Sequence, residues 1–360
     1  MKVLFVVHAP TAELAGGEIK LASIRYRAAM PVAELRRTGL QADLLSVAQV
    51  IAQNGSAGDF VLDADIVVLA QPKESIFSDG APLGGLLKFI QGVKAAGKTL
   101  VVDVCDLKLG EPYCAYIAGL HGPVVADACR RFYPALLRMA DAVVTPTAAL
   151  GARLRSYLPE LRETAIVADP IEVPQGAAAF APESGAPLRL LWFGFYGMHA
   201  APVTAFCRDE LPGLAAERSV HFTVMAGPEA EMPVLALGAL AKPAVIQFQT
   251  WSVPALGQAL QACDAVVLPL DYRTDSAVGK SNNRALQALY AGRPVFAHPI
   301  DSYRELAAYC SISEDLSGAI RAALADPQAC LDRTKAGQDY VARQYAIQAI
   351  GAAWAETIRR

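Results

Sequence analysis

Gly279-Lys280-Ser281-Asn282-Asn283-Arg284-Ala285-Leu286-Gln287-Ala288-Leu289-Tyr290-Ala291-Gly292-Arg293-Pro294-Val295 is the stretch on which the reading of the fold turns. It reads as a short helix running into a strand. Ser281 or Asn282 is a good N-cap, and Gly292 is the expected left-handed stop. Pro294-Val295-Phe296-Ala297 then resumes as a strand. Lys280 and Arg284 stand where the macrodipole is already positive, which costs about 0.3–1 kcal/mol each unless a negative group offsets them. No acidic residue occurs between Ala277 and Pro299. The free N–H groups of the helix start, with Ser281, Asn282 and Asn283, suit phosphate oxygens, so the missing anion reads as a ligand. The alternative is a solvated basic helix end.

Working outward, the same strand–helix grammar fills the chain. Leu188–Gly194 opens a series with strands at His221–Met225, Ala244–Phe248, Ala265–Leu268 and Pro294–Ala297. Helical stretches separate them at Val203–Ala216, Val253–Cys263 and Ser281–Ala291. Before it, Val3–Val7, Ala42–Leu45, Ile66–Ala70, Thr99–Val104, Ala142–Thr145 and Ala165–Ala168 are short apolar runs, with amphipathic segments at Leu83–Ala96 and Val125–Ala140. Such alternation predicts α/β architecture with doubly wound parallel sheets. Pro174–Pro187 is rich in small residues, Pro and Gly, and reads as an interdomain linker. The expectation is two Rossmann-like domains, 1–174 and 188–334, facing a cleft. Residues 335–360 are read as C-terminal helices packing back on the N-terminal domain.

Composition narrows the class. The chain has 360 residues, 54% apolar and 19% charged, which is globular. A formal net charge of −3 gives no reason to expect a nucleic-acid surface. Seven scattered cysteines without CxxC spacing suit free thiols in a reducing compartment, and five dispersed histidines form no visible metal cluster. No signal-type segment and no run of about 18 apolar residues is present. The expectation is a cytoplasmic protein, with membrane contact peripheral at most, at the inner face.

Ligands in open α/β sheets bind beyond the carboxyl ends of strands, so the loops there carry the candidates. Gly16 and Gly17, leading into a helix with Arg25 and Arg27, permit close backbone approach to a bulky ligand. The two arginines, two positions apart, cannot share one helix face. Asp103 and Asp106 end a buried strand. Asp103 lies inside the apolar run and reads as structural, Asp106 as a base or a sugar-hydroxyl acceptor. His8, just past the first strand, is a comparable base. Gly194, after Leu188–Phe193, lacks GxGxxG spacing, which counts against a nicotinamide or flavin enzyme. Trp251 either stacks a nucleobase or belongs to the core. Arg273, Lys280 and Arg284 are three cations within twelve residues, a diphosphate grip.

Two motifs carry a resemblance. Ala262-Cys263-Asp264-Ala265-Val266-Val267-Leu268-Pro269-Leu270 resembles the "aDvvvlPs" strand, and Leu286–Val295 the "lEAmAcGxPVv" helix and strand, of the large retaining nucleotide-sugar family of GT-B glycosyltransferases. The chain is most similar to bacterial cell-surface polysaccharide members, in a divergent form. The resemblance implies a nucleotide-diphosphate-sugar donor on the C-terminal domain, a glycan or lipid-linked acceptor on the N-terminal domain, and no metal or other cofactor. The family's paired glutamates, eight residues apart, fall on Gly279 and Gln287. Gln287 keeps hydrogen-bonding capacity for a ribose, whereas Gly279 offers no side chain. Two further readings stay open: a catalytically degenerate nucleotide- or glycan-binding protein, and a nucleotide-sugar epimerase.

Overall fold

The computed structural model describes residues 1–16, 19, 21–54, 62–77, 80–161, 164–180, 182, 185–274 and 279–359. By its internal contacts the chain divides into two compact units. The first comprises Met1–Pro170, Gly279–Ser281 and Ile347–Arg360, and the second Ile171–Val278 and Asn282–Ala346.

The first unit is built on a six-stranded sheet of β1 (Lys2–Val7), β2 (Gln41–Ser46), β3 (Ile66–Ala70), β4 (Thr99–Asp103), β5 (Ala142–Thr145) and β6 (Ala165–Ile166), in the order β2-β1-β3-β4-β5-β6. Every pairing is parallel. Parallel strands need crossovers that cover both faces, which is why β1 is apolar at successive positions instead of alternating. Leu4 and Val6 enter the core on one face, while Val3, Phe5 and Val7 enter that on the other. The last helix, Ile347–Thr357, joins the second of these cores, where Trp354 meets Phe5 edge-on with ring centroids 5.2 Å apart.

The second unit repeats the plan with β7 (Leu188–Phe193), β8 (Val220–Ala226), β9 (Val245–Thr250), β10 (Ala265–Leu268), β11 (Val295–Ala297) and β12 (Ser311–Ile312), all parallel, in the order β12-β11-β10-β7-β8-β9. In each unit the winding reverses once, between β1 and β3 in the first and between β7 and β10 in the second. A crevice at the carboxyl ends belongs at each reversal.

The structure corrects three readings. The stretch 174–187 is not a free linker: Phe180 is buried against Phe296, and the Gly176 and Ala179 N–H groups donate to the carbonyls of Tyr290 and Gly292. The boundary falls earlier, at Pro170/Ile171. Gly292 does stop its helix, at φ +74°, and a Cβ there would also lie 2.6 Å from the Ala177 carbonyl oxygen. Of the expected C-terminal module, the helix Pro327–Gln344 groups with the second unit and only Ile347–Arg360 with the first.

Candidate functional site

In the second unit the reversal crevice is framed by the turn after β7 and the helix Asn283–Tyr290, which crosses from β10 to β11. Gly194 follows β7 at φ +150°, and a Cβ there would sit 3.3 Å from Arg284 Nη1. Glycine is therefore favoured by the backbone, and a Cβ there would crowd the Arg284 guanidinium. Arg284 lies over the Trp192 ring at 5.7 Å and makes no hydrogen bond or ion pair among the described residues, with Nη1 shielded from solvent. Burial pushes the Tyr303 phenol up while the nearby Arg284 charge opposes, yet the hydroxyl stands outside hydrogen-bond geometry. A buried donor without a partner costs about 1–3 kcal/mol. A guanidinium left so at a helix start, beside a glycine turn, has the donor geometry that suits a planar oxyanion.

The flanks of this helix differ from expectation. Asn282 holds the N-cap position, but its side chain makes no capping bond and is buried, near Tyr345. Asn283 opens the helix, half-buried. Gln287 is fully buried, and its amide oxygen accepts the Glu172 and Val173 N–H groups at 3.2 Å each. The expected ribose contact by Gln287 is thus replaced by a structural tie, since the acceptor is spent on main chain. Arg273 is exposed, donates to Tyr272 Oη at 3.0 Å and lies 3.6 Å from Glu314. Trp251 packs half-buried against the core, and its main-chain N–H donates to the Ala226 carbonyl.

The expected three-cation grip is not what the lysine joins. Gly279–Ser281 group with the first unit, where Lys280 Nζ lies 3.0 Å from Asp106 Oδ1 and Ser281 Oγ donates to Asp169 Oδ2 at 2.6 Å. The anion missing from the local sequence around Lys280 is a carboxylate 174 residues away. Gly279 packs so closely that a Cβ would lie 2.8 Å from Leu107 Cβ, so the family's glutamate has no room there.

At the first unit's carboxyl edge, Arg27 is 1% exposed and fully committed. Nε and Nη2 donate to Asp103, and Nη1 donates to the Val167 carbonyl and to Asp169 Oδ1. Burial alone would lower its pKa, but the Asp103 and Asp169 carboxylates outweigh it and hold the guanidinium charged. Arg27 is therefore part of the scaffold and not a ligand for the acceptor. It sits in a π-helical turn, Arg25–Ala29. Arg25 donates to the Ile19 carbonyl. Gly16 ends the helix Thr11–Gly16, and Gly17 lies outside the described residues.

Asp106 is half-exposed and held by Gln71, whose Oε1 accepts its N–H at 3.2 Å and whose Nε2 donates to its carbonyl at 3.1 Å. His8 Nδ1 accepts the Lys73 N–H at 3.2 Å. Burial, with the Lys73 and Lys108 charges, lowers its proton affinity, so the neutral ring carries its proton on Nε2. His8 is then a hydrogen-bond donor and not the expected base. Cys105, beside Asp106, is kept a thiol by burial and by the Asp106 and Asp103 carboxylates. Sequence reasoning missed Asp169 and Lys73, each a charged residue just past a strand's carboxyl end.

No protein-family model and no curated protein sequence matches the chain. Solved structures do. A glycosyltransferase from Rickettsia africae superposes with TM-score 0.60 at 12% identity, covering 99% of this chain and 97% of that one. TarM gives 0.58 at 9% identity over 87% of this chain, which spans only 58% of TarM. A putative UDP-N-acetylglucosamine 2-epimerase from Listeria monocytogenes gives 0.56 at 11%, covering 99% and 95%. At such identities the likeness concerns the fold. The chain is built on the two-domain α/β architecture of GT-B glycosyltransferases, two Rossmann-like units each with a parallel six-stranded sheet.

Proposed function

We propose that the protein is a glycosyltransferase that moves a sugar from a nucleotide-diphosphate donor to a glycan or other cell-surface polysaccharide acceptor. The observation that carries this is Arg284, a cation with no carboxylate partner among the described residues, at the second unit's crevice beside Gly194. The donor's diphosphate supplies the partner it lacks. As the bond between the sugar's anomeric carbon and the phosphate oxygen breaks, Arg284 and the helix N–H groups stabilise the departing diphosphate in a preorganised field. In this proposal they do so without a metal. The acceptor oxygen forms the new bond, and its proton passes to the departing phosphate if configuration is retained, or to a carboxylate base if it inverts. Lys280 is paired with Asp106 within the first unit.

The second reading is a degenerate binder that does not turn over. It is favoured by Gly279 and Gln287, which replace acidic residues and are packed into their units. A panel of nucleotide sugars, followed by release of nucleoside diphosphate with and without glycan acceptors, separates the two. Turnover with one donor supports the transferase. Binding without release supports the degenerate reading, and isomerised donor without release supports an epimerase. Among the described residues no helix is long and apolar enough to cross a membrane.

A further inference from the structure

The crevice at the first unit's reversal, between β1 and β3, is lined by His8, Ser23, Arg27, Gln71, Lys73 and Asp103 among others, with about 30 Å³ inside, room for a carboxylate-sized group. Much of its wall is apolar, and its polar lining sets donors on His8, Ser23 and Lys73 near the Arg27–Asp103 pair. Arg27 is shared by Asp103 and Asp169, and the Ser281 hydroxyl donates to Asp169 as well. His8 presents Nε2–H, because its Nδ1 is taken. The Ser23 hydroxyl makes no hydrogen bond and the Lys73 ammonium no ion pair among the described residues. Lys73 is half-buried, and desolvation lowers its pKa, with Glu13 attracting it from beyond ion-pair range and Lys108 repelling it. Glu74, the other acid nearby, is spent on Lys108 at 2.9 Å and on the Tyr113 hydroxyl.

We propose that this crevice is an anion subsite, in which Lys73, the His8 Nε2–H and the Ser23 hydroxyl hold a carboxylate or phosphate carried by the acceptor. A neutral sugar hydroxyl leaves the ammonium uncompensated, whereas an oxyanion takes a charge-assisted bond from Lys73 and neutral bonds from the other two. The inference rests on the transferase reading and deepens it: the acceptor is an acidic glycan or a phosphorylated one.

The test is saturation-transfer NMR titration of the full chain with D-glucuronate, D-glucose and inorganic phosphate, on wild type, Lys73→Met and Ser23→Ala. Wild type is expected to bind glucuronate at least tenfold better than glucose. Lys73→Met should lose that preference and Ser23→Ala reduce it about threefold. Competition between phosphate and glucuronate assigns a phosphate-bearing acceptor, and its absence a uronate-type one; both support the subsite. Equal binding of glucose and glucuronate, no saturable binding of either anion, or an unchanged preference in Lys73→Met overturns it. Nucleoside diphosphate titrated into the same samples reports on the fold and on the donor reading separately, since Lys73 plays no part in donor binding.

Discussion

Arg27 and Arg284 occupy comparable places in two similar sheets, and they have opposite surroundings. Arg27 meets two carboxylates and a carbonyl, and Arg284 meets a Trp ring and the neighbourhood of the Tyr303 hydroxyl, with no carboxylate among the described residues. The first pattern is self-contained: every guanidinium nitrogen donates to the chain, and the result is a tie between the helical segment at 25–29, β4 and the segment after β6. The second has no carboxylate among the described residues, and the proposed donor diphosphate would supply one oxyanion partner. Partner count, more than burial, separates a structural cation from a binding one, and that distinction underlies the assignment of the donor site.

Breaking the pair of roles gives the largest effect at Arg27. Arg27→Met strands two buried carboxylates and should cost about 3–5 kcal/mol, read as a fall in the urea midpoint. A loss below about 1 kcal/mol would contradict its structural role. Gly279→Glu restores the family residue on the sequence but drives a side chain into Leu107. It should lose about 1–3 kcal/mol of stability and gain no transferase activity. Recovered activity without loss of stability would show that the segment repacks. Lys280→Ala removes a partly exposed ion pair and should cost about 0.2–1 kcal/mol, with nucleoside diphosphate affinity changing less than in an Arg284 variant.

The smallest expected effect is at His8. Its folded pKa lies below the ordinary 6.5, so the unfolded chain takes up more protons once pH drops below that value. The stability this contributes is present above about 6.5 and is lost as pH falls toward the lowered value. Urea midpoints at pH 7.5 and 5.5 should drop more for wild type than for His8→Gln. Equal drops would remove His8 from the neutral state assigned to it.

Much of the fold was legible because buried parallel strands write themselves as uninterrupted apolar runs: Ile66–Ala70, Ala142–Thr145 and Ala265–Leu268 fall where the periodicity places them. The two-residue strand β12 did not show, since Ser311-Ile312 carries no pattern. The site was harder to read for a physical reason. Local sequence shows a cation lacking a neighbouring acid, but Lys280 finds Asp106, and Ser281 finds Asp169, only through the tertiary fold. Gln287 likewise looked like a ligand because its two N–H partners lie over a hundred residues away. For Arg284 no carboxylate partner arrives among the described residues, so its reading as a donor ligand stays a proposal.

The most direct test is calorimetric titration of UDP and other nucleoside diphosphates into wild type and Arg284→Met, with urea unfolding of both. Arg284→Met is expected to bind at least tenfold more weakly, about 1.4 kcal/mol, with folding stability unchanged or slightly higher. Equal affinity in the variant, or stability lost in step with binding, would contradict it.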